Sequence, residues 1–508
     1  MEFLNFLLAL LPILWLVVAL TVFKWPTFKA AIGSLVISAI LTITKWQMPV
    51  IDMASAALEG FAMALWPIIL VIIAAVFTYN LTLKTGAMEI IKQMIASVSS
   101  DKRIIVLLIA WCFGGFMEGM AGFGTAIAIP ASMLVGLGFN PLFSCLVCLI
   151  ANGVPTPFGS IGIPTVTLAN LVGLENTALS FMTSLQLAPF VIAAPFLIVM
   201  ATGKGPKALK GMLPVTLASS LGFILPQLAV SYFVGAELAV VVGSVCSLAL
   251  TILFASKKKS DPQYEMQIAK QENITLSKAL IAWCPFILIF VFLLLTSKMV
   301  MPINETLSAF ATQTTIYTGE NPTVISFSWI NTPGVWIFIS ALIGGLIQKA
   351  SLKDFGRVLV DTLNQMKETM ITMLSVLAVA KIMGYAGMIS DISSFVIAIT
   401  GSFYPFFAPW FGALGTFVTG SGTNSGVLFG QVQLEAAQAL NANSLWIVAL
   451  NSLGVAVGKM LSPQSLAIAL SSVDSKGQDS KLLSMVLPYG TGMIILMSIL
   501  AFVGNMVL

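Results

Sequence analysis

The residues best placed to do chemistry in this chain are a carboxylate and an ammonium in apolar surroundings. Glu118 opens the stretch EGMAGFGTAIAIP (118–130), and Lys459 sits in GKMLSPQS (458–465). An ionisable group in hydrocarbon is costly, so it faces a cavity or a partner. Glu118 is therefore a candidate proton carrier. Lys459 is a candidate counter-ion for the carboxylate of an anionic substrate, or for Glu118 when no substrate is bound. Lys381 is the other lysine well inside an apolar run, and it reads as snorkelling to the interface.

Neutral groups gather near these two charges. In GFGT (122–125), Gly122 and Gly124 permit a tight turn, and Thr125 offers a hydroxyl. A break there frees N–H groups at a new helix start, which attract anions. In ANGVPTPFGSIGIP (151–164), Asn152 can both donate and accept. Pro155, Pro157 and Pro164 argue against a continuous helix, so this segment reads as unwound backbone lining a cavity. GTFVTGSGTNSGVLFGQ (415–431) collects Thr419, Ser421, Thr423, Asn424 and Ser425. That dense uncharged set suits a carboxylate and a hydroxyl. Asn451, Ser462 and Gln464 accompany Lys459. The chain has no histidine, and Cys145 and Cys148 stand in a buried-helix pattern, so neither a metal site nor a cofactor is expected.

The elements that must hold these groups lie in a membrane. Of 508 residues, 58% are hydrophobic and 9% charged, against about 25% charged in soluble domains. Apolar runs near the length of a bilayer-crossing helix recur throughout, and no period-two alternation suggests a barrel. The expected fold is an all-α polytopic membrane protein of 12–14 transmembrane helices. Expected spans are 5–23, 28–44, 61–82, 103–120, 140–151, 185–202, 211–231, 236–256, 280–298, 332–349, 363–384, 392–411, 443–457 and 483–506. The stretches 121–139 and 412–440 look too broken for simple helices, and 164–180 is a further short element. Basic groups at 24–29, 84–103, 204–210, 257–278, 349–367 and 476–481 mark cytoplasmic loops, which puts both termini outside. Residues 299–331 then form an outside surface connection. Residues 257–278 read as a cytoplasmic linker between an amino-terminal half, 1–256, and a carboxyl-terminal half, 279–508. Trp25, Trp46, Trp283 and Trp329 read as interface anchors, with Trp66 deeper. Basic residues form no sustained patch, so nucleic acid is not an expected partner and membrane lipid is.

The two halves echo each other. Asn152, Gly159 and Pro164 recur with the same spacing as Asn451, Gly458 and Pro463, and GFGT at 122–125 answers GSGT at 420–423. The repeat motifs span 118–164 and 415–467. Secondary transporters are commonly built from two such copies, with broken helices meeting near mid-membrane. The basic-loop map makes the copies inverted.

The blocks EGMAGFGTAIAIPASMLVGLGFNP, CLIANGVPTPFGSIGIPT, GSGTNSGVLFGQVQ and GKMLSPQSLAIA resemble the bacterial lactate permease family. That resemblance implies a carrier of L-lactate, D-lactate or glycolate taken up with protons across the bacterial inner membrane, built with paired re-entrant hairpins. Family members often carry an acidic residue where this chain has Gly422, so Glu118, another group or another ion takes that part here. The leading expectation is a symporter for a small 2-hydroxy monocarboxylate and a proton. A di- or tricarboxylate carrier, or a sodium-coupled one, is the alternative. A channel is disfavoured by the broken repeat, and an enzyme by the lack of histidine, nucleotide loop or metal cluster.

Overall fold

The computed structural model describes residues 2–122, 124–258, 261–266, 274–475 and 477–507. Phe123, much of the expected linker, and the basic residues Lys259, Lys270 and Lys476 lie outside the described residues. Among those described, twelve helices are long and apolar enough to cross a membrane. A pair of half-helices, Pro141–Gly153 and Thr156–Val172, is long and apolar enough only when taken together and is bent by 61° at its break. In lipid every backbone polar group must be satisfied within the chain, which is why helices dominate. The one sheet among the described residues is a two-stranded antiparallel ribbon, Ala311–Thr314 with Ile325–Ser328, outside the apolar runs.

Several expected boundaries change. The helix expected at 61–82 runs Val50–Lys84, and the one at 363–384 runs Leu352–Tyr385. Polar and charged residues at their ends hid these extra turns. The expected separate elements 140–151 and 164–180 are instead largely the two halves of one bent helix pair, and Asn176–Thr202 starts well before residue 185. The span expected at 392–411 straddles a break at Gly401–Phe403. The stretch 412–440 is two helical arms meeting at a tip, not irregular backbone.

Each copy of the repeat contains the same two devices. The first is a hairpin of helices. In the first copy Lys102–Met120 is followed by Thr125–Gly136, which packs back along Leu107–Met120. In the second copy Tyr404–Thr419 turns into Gly422–Ala439. Its arms are tied by hydrogen bonds from Ser425 Oγ to Gly412 O (2.8 Å), from Gln433 Nε2 to Ala408 O (2.9 Å) and from the Tyr404 hydroxyl to Gln433 Oε1 (2.8 Å). The tips use left-handed backbone at Gly124 (φ 88°) and Gly420 (φ 68°), a conformation that a side chain disfavours.

The second device is a broken helix. Pro141–Gly153 and Ser444–Leu461 both start under an asparagine cap: Asn140 accepts from Phe143 N, and Asn443 accepts from Trp446 N, each at 3.1 Å. The first then breaks at Val154–Gly162, where Ser160, Ile161 and Gly162 all have positive φ. The second breaks at Ser462 alone, which is extended (φ −59°, ψ 130°). Proline pushes its preceding residue out of the helical region, and Pro463 does so here. The copies interlock: Gly159–Val172 packs on Gly422–Ala439, and Pro463–Ser472 packs on Thr125–Gly136.

The connection 299–331 is more than a plain surface loop. It holds the helix Met301–Ser308 and the ribbon, and it is pinned to two spans. Thr318 donates to Asp52 Oδ1 (2.6 Å), and the Tyr317 ring stacks on Tyr385 with centroids 3.7 Å apart. Trp66 donates to Ser328 O (2.8 Å) and packs on Trp329, so it lies against this connection. On the linker side, Asp101 meets Arg103 (2.7 Å) and Lys258 (2.6 Å), and the Arg103 guanidinium covers the Tyr264 ring at 3.7 Å.

Candidate functional site

A cavity of about 190 Å³ lies where the second hairpin tip meets both broken helices. The second tip supplies Thr419, Gly420, Ser421, Thr423 and Asn424. The first broken helix supplies Thr156, Gly159 and Ser160, and the second supplies Lys459 and Gln464. Glu118 reaches in from the first hairpin, and Glu368, Thr369 and Thr372 from the long helix Leu352–Tyr385.

Glu118 is 3% exposed and Lys459 6%. Their partners are neutral. Asn152 Nδ2 donates to Glu118 Oε2 (2.7 Å), and Lys459 Nζ donates to Gly420 O (2.9 Å). Among the described residues Glu118 forms no ion pair, so the direct Glu118–Lys459 pairing considered from the sequence is not present in this conformation. Gly159 presses on the carboxylate: a Cβ there would overlap Glu118 Oε1. Gly420 stands in the same relation to Gln464 Oε1. Lys459 thus holds the second hairpin tip to the broken helix through a main-chain carbonyl, with two ammonium hydrogens left over.

Of the residues singled out from the sequence, Glu118, Thr419, Ser421, Thr423, Asn424, Lys459 and Gln464 line the cavity. Asn152 stands behind Glu118. Gly122, Gly124 and Thr125 do not line it: Gly122 faces Ser160, Gly124 packs on Ile468, and the Thr125 hydroxyl turns back to Gly122 O (2.7 Å). Ser425 is used to tie the hairpin arms. Asn451 is fully buried with neither side-chain polar atom partnered, and Ser462 Oγ is likewise buried and unpartnered. The contribution of Leu352–Tyr385 was missed, although Glu368 in the run MKETMITM was its signal.

Lys381 does not snorkel. It pairs with Glu59 at 2.8 Å, and Glu59 is wholly buried. Glu59 was missed because its helix was expected to start after it. Cys145 and Cys148 are buried free thiols, and no cluster of potential metal ligands occurs among the described residues.

The L-lactate permease family matches residues 5–508. An L-lactate permease of Streptococcus iniae is 45% identical over 443 residues, which is 87% of this chain and 93% of that protein. The L-lactate permease of Escherichia coli strain K12 is 33% identical over 513 residues, covering 94% and 92%. The glycolate permease GlcA of the same strain is 33% identical over 552 residues, covering 99% and 97%. With a match across almost its full length and a many-helix membrane fold beneath it, this chain belongs to the L-lactate permease family: it is a multi-pass transport protein of the bacterial inner membrane, not an enzyme.

Proposed function

We propose that the protein is a symporter that moves lactate, or a close 2-hydroxy monocarboxylate such as glycolate, together with a proton. The observation that carries this reading is the meeting of Glu118 and Lys459, one from each copy of the repeat, at one small cavity rich in hydroxyl and amide groups. Lys459 is the one cationic side chain lining that cavity among the described residues, beside the carboxylates of Glu118 and Glu368. That balance suits a single negative charge and opposes a di- or tricarboxylate, which would meet two acids and one base.

In the proposed cycle the substrate carboxylate takes the free hydrogens of Lys459, and the second hairpin tip provides hydrogen bonds to its hydroxyl. Glu118, protonated, offsets the arriving charge and gives up its proton on the other side. In the orientation expected from the basic loops the hairpins enter from opposite faces, and the broken helices give the cavity an unwound wall. Alternating access follows from exposing the two tips in turn.

A second reading keeps the cargo and changes the ion. The buried side-chain oxygens of Asn152, Asn424 and Asn451 have no partner, and unwound backbone with free oxygens is the type of surface that holds sodium in such carriers. Labelled lactate uptake into proteoliposomes, with proton and sodium gradients imposed one at a time, separates the two. Accumulation driven by sodium alone overturns the proton reading. No uptake of lactate or glycolate under either gradient overturns the cargo.

A further inference from the structure

The ion pair of Glu59 and Lys381 lies away from the central cavity, beneath the Ala311–Ser328 ribbon, and takes no part in the cycle above. Its geometry is lopsided. Lys381 Nζ (2.8 Å), the Tyr385 hydroxyl (2.9 Å) and the Thr323 hydroxyl (3.2 Å) all converge on Glu59 Oε1. Glu59 Oε2 is buried with no partner. The pair is thus closed on one oxygen and incomplete on the other. A buried charge pair is held firmly only when its remaining lone pairs and protons are also satisfied.

Lys381 also faces a separate cavity of about 600 Å³. Its polar lining includes Thr167, Asn170, Thr323 and Gln431. Thr167 is 2% exposed and its hydroxyl has no partner. Two of these residues belong to the elements that build the central site: Thr167 is on the second half of the first broken helix, and Gln431 is on the outbound arm of the second hairpin. Asn424 of the central cavity and Gln431 are seven residues apart on one helix, about 10 Å along its axis.

We propose that this vestibule is a second binding site for a small monocarboxylate, in which the anion replaces Glu59 on Lys381 and is held by Gln431 and Thr167 before it passes to the central cavity. Glu59 is the resident stand-in: it occupies the ammonium while the vestibule is empty. The site serves substrate arriving from the face that carries the ribbon, the outer face in the orientation adopted above. The proposal rests on the transport of a small carboxylate.

The test compares Lys381→Gln, Glu59→Gln and the double variant in right-side-out and inverted membrane vesicles, with labelled L-lactate and glycolate as probes. Lys381→Gln raises the outside KM at least tenfold and leaves the KM from the inside within a factor of two. Glu59→Gln frees the ammonium from its competitor and lowers the outside KM. The double variant removes both charges, and so any unpaired charge, yet keeps the high outside KM of Lys381→Gln. If Lys381→Gln fails to fold, the double variant reads the same quantity. Wild-type KM in the double variant shows a purely structural ion pair and overturns the proposal, as does an equal rise on both sides. Wild-type vesicles that move neither probe overturn the transport reading itself, a result distinct from loss of sidedness alone.

Discussion

Gly159→Ala tests how tightly the Glu118 carboxylate is held. Gly159 has an ordinary φ of −63°, so alanine brings no backbone strain. Its one new atom is the problem. A Cβ would overlap Glu118 Oε1 and lie 3.1 Å from Glu118 Cδ. The carboxylate then swings into the cavity and surrenders its 2.7 Å hydrogen bond from Asn152. Hydrogen bonds to charged groups contribute about 1.5–3 kcal/mol. At about 1.4 kcal/mol per factor of ten, proton-driven lactate uptake should fall roughly 10- to 150-fold in kcat/KM. The assay is the initial rate into proteoliposomes under an imposed pH gradient. Shortening the acid makes room, so Glu118→Asp added to Gly159→Ala recovers part of the loss. Uptake by Gly159→Ala within a factor of two of wild type refutes the reasoning, as does a double variant no better than the product of the two singles.

Glu118→Gln abolishes accumulation against a gradient and spares lactate exchange between equal compartments; full accumulation in vesicles removes Glu118 from the proton path. Lys459→Met weakens lactate binding by roughly ten- to a hundredfold, from the loss of charged hydrogen bonds of about 1.5–3 kcal/mol, measured by titration of the purified protein; unchanged affinity excludes Lys459 as the carboxylate partner. Asp101→Asn lowers the melting temperature, since breaking a buried pair costs about 3–5 kcal/mol, and Asp101 is 1% exposed. Burial pushes the Asp101 carboxyl up, but the hydrogen bonds from Arg103 and Lys258 outweigh it and leave it below 3.8. A lowered folded value means stability that is full above the unfolded value and lost as pH falls through the folded one. The gap between wild type and Asp101→Asn in a melting series should therefore be widest above about pH 4 and close in stronger acid.

Much of the site was legible because it is made of exceptions. Glu118 and Lys459 break an apolar rule, and Asn152, Thr419 and Asn424 stand beside glycines and prolines that break a helical one. What these signals could not give was depth. GFGT and GSGT look alike, yet the second tip lines the cavity while Thr125 in the first is spent on capping its own turn. That difference depends on which broken helix each tip meets, a long-range contact with no trace in local spacing. Glu59 and Glu368 were missed for another reason. Glu59 lies in the turns of Val50–Lys84 ahead of its apolar centre, and Glu368, midway along Leu352–Tyr385, ends the polar run DTLNQMKE (361–368), where a carboxylate looks solvated. Helix ends were misplaced wherever such turns extend a span, as in Val50–Lys84 and Leu352–Tyr385.

The interlocking of the copies has a consequence for the way this molecule can be cut. Gly153 of the first broken helix leaves room only for the main chain of Ala456, and Gln186 donates to Trp446 O at 2.9 Å. Neither set of helices has a finished surface without the other. A fragment severed at the connecting segment would expose raw main-chain contacts and part Glu59 from Lys381, leaving a lone carboxylate or a lone ammonium stranded in oil. The two sets of parts are alike in their devices and yet mutually dependent: the central cavity takes Glu118 from one and Lys459 from the other.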